Sequence, residues 1–154
     1  MHPGPGPLAL VGSGEYLEVM AGVEGALIKG RPLRYVQIPT AAAPEGPQRL
    51  RYWLDLGAAQ AERLGVEPVP VVVRDRGEAG SADLAALIHD VGLIYLSGGN
   101  PQFLARTLRG SRVWAAIDRA RRHGAEIVTS EMVLFEWLRD AQHPKFREVH
   151  KLLK

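Results

Sequence analysis

Five short apolar runs punctuate the chain, at Leu8–Val11, Tyr35–Ile38, Val69–Val73, Leu93–Leu96 and Glu126–Thr129, and the stretches between them carry apolar residues every three or four positions. Short β-rich runs alternating with helical periods mark repeated βα units, whose strands lie parallel in one sheet. The expected fold is a three-layer α/β/α, doubly wound (Rossmann-like or flavodoxin-like) domain with a five-stranded parallel sheet. Pro68 and Pro70 each lack the amide that a ladder needs, which places the third run at an edge. That suits the strand order 3-2-1-4-5, with a binding crevice beside the first strand.

Leu50, Trp53, Leu54, Ala58, Ala61 and Leu64 form the apolar stripe of one helix, which Gly65 ends. Ser81 caps a second helix, with Leu84, Leu87, Ile88 and Val91 on its buried side and Gly92 at the turn into the fourth strand. Val113, Trp114, Ile117 and Ala120 mark a third, stopped by Gly124. Beyond the fifth run, Thr129-Ser130 reads as the cap of a helix that is apolar nearly all round, from Met132 to Leu138; such a helix is core or interface. His143-Pro144 opens a last amphipathic stripe of Phe146, Val149, Leu152 and Leu153.

Composition narrows the classes of function. The 154 residues match one domain, 1–154, without internal repeats. Basic residues are interleaved with acidic ones at a net charge of +2, so no nucleic-acid partner is expected. No apolar run approaches the roughly 20 residues of a membrane span, and the opening Met1–Pro7 lacks the charged and apolar regions of a signal peptide. The expected location is cytoplasmic, with no membrane partner. The absence of cysteine excludes disulfides, thiolate metal sites and a cysteine nucleophile. No metal or other cofactor is called for.

Ligands of open parallel sheets bind beyond the carboxyl ends of the strands, where this chain places glycine-rich loops. Gly12-Ser13-Gly14-Glu15-Tyr16 follows the first strand, Thr40-Ala41-Ala42-Ala43 the second and Ser97-Gly98-Gly99-Asn100 the fourth. Backbone amides in such turns can face an anion or an oxyanion. The same glycines also serve tight strand-to-helix turns with nothing bound. A dinucleotide fingerprint is not met, because Leu17 stands where the third glycine would be.

Leu10–Tyr16, Ile38-Pro39-Thr40-Ala41-Ala42, Tyr52–Gly57 and Ile94–Pro101 together resemble the amino-terminal part of the serine peptidase family of dipeptidase E and cyanophycinase, and most of all its members described as type 1 glutamine amidotransferase-like. The likeness runs from about Leu8 to about His123. It implies that the loop at Gly98, Gly99 and Asn100 helps to form an oxyanion site, that a serine stands on a sharp elbow after the next strand, and that a histidine and an acid follow. At the elbow this chain has Thr129-Ser130-Glu131-Met132, without the small neighbours that so tight a turn requires. Ser130 is accordingly expected to be a helix cap, and His143 and His150 to be exposed.

The segment Ile127–Ala141, with His143–Phe146 and the ending Lys151–Lys154, is similar to the carboxyl-terminal strand and two helices of isochorismatase-like hydrolases. The resemblance implies a cysteine-based chemistry whose residues are missing here. Two parents joined near residues 112–126 imply a chimera, and the leading expectation is an engineered, non-catalytic scaffold that retains Gly12, Ser13, Gly14, Glu15, Gly98, Gly99 and Asn100 as inherited loops. The alternative is a natural diverged or truncated serine hydrolase in which Ser130 attacks and His143 or His150 is the base. A third reading is a small-molecule or anion-binding module using the glycine loops alone. A homodimer is expected through an exposed fifth strand or through the apolar carboxyl-terminal helices.

Overall fold

The structure, a computed structural model, describes residue 6, residues 8–10 and residues 14–129. The two helices expected after Thr129 lie outside the described residues. In chain order the elements are β1 (Leu8–Leu10), α1 (Ala21–Ile28), β2 (Arg34–Ile38), α2 (Pro47–Leu64), β3 (Glu67–Pro70), α3 (Arg76–Ala79), α4 (Ala82–Ala86), β4 (Leu93–Leu96), α5 (Pro101–Leu108), α6 (Arg112–Arg122) and β5 (Glu126–Thr129). All strand pairs are parallel, in the order β1-β5-β4-β2-β3.

This order corrects the expected 3-2-1-4-5. β1 lies at an edge, and β5, expected to be exposed, is enclosed between β4 and β1. The dimer contact through an open fifth strand therefore has no basis. Leu93, Ile94, Tyr95 and Leu96 of β4 and Ile127 and Val128 of β5 are buried on both faces, in keeping with strands inside a helix-covered parallel sheet.

β3 does take the other edge, for the reason its prolines suggest. Glu67 and Val71 donate to the carbonyls of Leu33 and Gln37 beside them, and the prolines occupy the alternate positions whose missing amides would face away from β2. The strand is two residues earlier than its valine run implies. Val71 and Val73 continue past it as buried coil.

Helices cover both faces. Val36, Ile38, Ile94, Leu96 and Ile127 pack under α5 and α6 through Leu104, Leu108, Val113 and Ile117. Tyr35, Leu93, Tyr95 and Val128 pack under α1 and α2 through Ile28, Ala61 and Leu64. Some helix positions differ from the periodic expectation. Ala58 is exposed and Gly57 and Gln60 are buried in its place, Leu87 falls outside the short α4, and Trp114 faces outward on α6.

Candidate functional site

The winding reverses between β2 and β4. α2 leaves β2 for one face and α5 leaves β4 for the other, so the crevice lies at the carboxyl ends of these neighbours and not beside β1. Ile38, Leu96, Thr129 and Leu10 pair in one row across four strands, and the loops that follow them start side by side. The row thus brings the origins of the loops after β1, β2 and β4 and the exit of β5 to one end of the sheet.

Two of the loops are locked together. The Asn100 amide donates to the Ala41 carbonyl at 2.7 Å. Gly99 has φ 142°, and a Cβ there would meet the Ala41 carbonyl carbon and oxygen at 2.5 Å, so only glycine allows this approach. The Asn100 side chain accepts from the Phe103 amide at 2.9 Å and caps α5, with Pro101 in the first turn. Asn100 is thereby committed to holding the loop, while the amides of Gly98 and Gly99 have no acceptor among the described residues. Gly14 and Glu15 follow β1 at the same end and are half-buried. Gly12, Ser13, Ser130, His143 and His150 lie outside the described residues.

Beneath the crevice is a layer of buried polar groups that the periodic pattern concealed. Tyr16, buried at φ 60°, stacks on Tyr95 with ring centroids 4.3 Å apart, and Trp53 and Tyr35 extend the cluster. Gln37 Nε2, Thr40 Oγ1, Ser97 Oγ and the Tyr95 hydroxyl are buried there without a partner among the described residues. Such atoms are costly unless water or a ligand satisfies them, and four at one site mark a floor suited to a polar guest. Burial, with Glu15 and Glu24 nearby, raises the Tyr16 and Tyr95 hydroxyls well above the usual phenolic range, so both stay neutral donors. Gly57 lets α2 sit close over this floor, where a Cβ would come within 2.7 Å of Gln37 Nε2 and 3.1 Å of the Tyr16 ring. A signal was available: Gln37 and Tyr95 put polar atoms inside two apolar strand runs, at positions that pair directly.

Farther in, the Tyr35 hydroxyl donates to Glu24 Oε2 at 2.9 Å, and Glu24 Oε1 is buried without a partner. Burial raises the Glu24 carboxyl above its ordinary value of 4.5, with the Tyr35 hydrogen bond opposing the rise. A raised carboxyl contributes stability that is complete below the unfolded value and lost as pH climbs through the folded one. Glu24→Gln is expected to flatten the fall in stability above pH 4.5, read from urea midpoints across a pH series. Some slope should persist, because burial raises Glu126 too.

No family model matches the chain. Among solved structures it is similar to a peptidase from an acI-B1 Actinobacterium, with 39% identity and a TM-score of 0.78 over 82% of this chain. Over that span it resembles a peptidase in both sequence and fold. A protein given the provisional description peptidase E, from Listeria monocytogenes EGD-e, shares the fold at 19% identity and a TM-score of 0.56 over 79% of this chain. The peptidase-like chain spans about half the length of these two, 54% and 56%. A short segment is similar to isochorismatase domain proteins. It is 53% identical over 38 residues to isochorismatase domain-containing protein 2 of Xenopus laevis, and 44% over 39 residues to protein 2A of Mus musculus. Each match covers 25% of this chain and under a fifth of the relative.

Both resemblances read from the sequence therefore stand, but the conclusion drawn from them does not. A sequence likeness sustained with one peptidase across most of the chain overturns the reading as an engineered, non-catalytic scaffold and favours a natural peptidase-like protein. Among the described residues no helix is long and apolar enough to cross a membrane.

Proposed function

We propose that this chain is a natural, diverged hydrolase of the serine peptidase type that cleaves a peptide or ester bond at the crevice between β2 and β4. Ser130 is the nucleophile, His143 or His150 the base, and the amides of Gly98 and Gly99 the oxyanion donors. The observation that carries this reading is the pairing of Leu96 with Thr129. The two glycine amides without an acceptor among the described residues follow the first closely, and Ser130 is the next residue in sequence after the second. The likeness to a peptidase over most of the chain supports the same chemistry.

In this mechanism the Ser130 hydroxyl gives its proton to the imidazole and attacks the carbonyl carbon. The oxygen charge that develops is met by the loop amides, held in place by Asn100 and Ala41. Returning the proton to the leaving group completes acyl transfer, and water releases the acyl enzyme.

A fluorophosphonate probe followed by peptide mapping is the direct test. Labelling at Ser130 that vanishes in Ser130→Ala, together with turnover of dipeptides, aspartyl peptides or esters, is the expected result. An unlabelled Ser130 in folded protein would refute the assignment.

A further inference from the structure

The opposite end of the sheet, where the strands begin, holds a cleft of about 700 Å³ that the hydrolase reading does not use. Its walls come from the segments leading into four strands: Gly6 before β1, Lys29–Pro32 before β2, Ile88–Val91 before β4, and Arg119, Ala120, His123 and Gly124 before β5. The volume lies within the roughly 300–1,000 Å³ typical of small-molecule sites.

Its chemistry is cationic. Three cations, Lys29, Arg31 and Arg119, line it against one acid, Asp90, and the His89 and His123 rings complete the wall. Arg31 is already engaged, reaching Glu126 at 2.6 Å and the carbonyl of Gly124 at 2.9 Å. Lys29 and Arg119 pair with no acid among the described residues. His89 and His123 rest their Nδ1 atoms on the carbonyls of Ala86 and Arg119, at 2.8 and 2.7 Å. Since a carbonyl can only accept, Nδ1 is the donor in each contact. Arginines in the last turn of α6 also answer the negative end of that helix, which accounts for a cation at Arg119. It accounts neither for the concavity nor for two imidazoles from separate elements.

We infer that this cleft binds a small polyanion, its phosphate or carboxylate groups held by Lys29 and Arg119 with the His89 and His123 rings beside them. A macromolecular partner is disfavoured by the shape, a recess between turns, and by the scatter of basic charge over the rest of the chain. The site is remote from the glycine loops, so this inference does not depend on the hydrolase reading.

Calorimetric titration of the full chain with pyrophosphate, and separately with citrate, tests it and distinguishes phosphate from carboxylate recognition. Saturable one-to-one binding of at least one of them is expected, weakened at least tenfold in Lys29→Gln/Arg119→Gln. Arg122→Gln, which removes a charge paired with Asp118 on the same helix, should leave the affinity unchanged within twofold. Absence of saturable heat up to millimolar anion overturns the inference, as does equal weakening by Arg122→Gln, the mark of diffuse attraction. Imidazole resonances of the unsubstituted protein, assigned with His89→Gln and His123→Gln, give a readout independent of variant folding. Those two must move with the same saturation, and a titration that leaves them unmoved also refutes the site.

Discussion

Gly99→Ala is expected to destabilise the protein by about 3 kcal/mol, while Gly22→Ala is neutral or mildly stabilising. The contrast lies in their surroundings. A methyl group on Gly99 meets the Ala41 carbonyl and the Ala42 amide at 2.5–2.7 Å, all of it backbone, at a φ that side chains rarely adopt. One on Gly22, in α1, meets nothing within 4 Å. Relief at Gly99 requires the β4 loop to part from the β2 loop, breaking the bond between Asn100 and Ala41. Urea unfolding of both variants measures the difference. If the loop amides serve as proposed, labelling of Ser130 should slow by about 100-fold in whatever Gly99→Ala remains folded. Equal stability of the two variants would contradict the close packing of the loops.

The second large effect is expected at Arg31. Its guanidinium bridges the start of the sheet, bound to Glu126 and to the carbonyls of Leu27 and Gly124. Glu126 is 1% exposed, and its Oε2 has no partner among the described residues. Burial pushes its carboxyl up and Arg31 pulls it down. Arg31→Met leaves that carboxylate buried and uncompensated, which costs about 3 kcal/mol at neutral pH. Adding Glu126→Gln to Arg31→Met should recover most of the loss, since the charge is then gone. The same logic makes the single variant relatively more stable in acid, where protonation does the work of the amide. Chemical denaturation at pH 5 and pH 7 reads both; a double variant no better than the single one would contradict this account.

Much of the architecture was legible because it depends on local chemistry. The runs at Tyr35 and Leu93 became strands, Gly65 ended α2, Ser81 capped α4, and two prolines marked β3 as an edge. Strand neighbours were not legible. Apolar runs say that a strand is buried on both faces, but several orders of the same strands satisfy that demand, and the true one moved β1 to the edge and β5 inside. The candidate site divided in the same way. Gly98, Gly99 and Asn100 stood out by type, yet the particular duties of Gly99 and Asn100 depend on Ala41, 58 and 59 residues away in the chain. Tyr16, Thr40 and Ser97 were visible only as members of the strand-end loops, and Gln37 drew no notice, since a polar atom inside an apolar run looks like noise until its neighbours are known.

The sequence by itself determined the class of fold, the absence of thiol chemistry and the end of the sheet where glycine loops gather, because propensity, patterning and composition act within a few residues. Only the tertiary structure decided which strands touch, where the crevice opens and which buried polar groups lack partners. Those depend on contacts between distant segments, whose energies are settled only when both sides are in place.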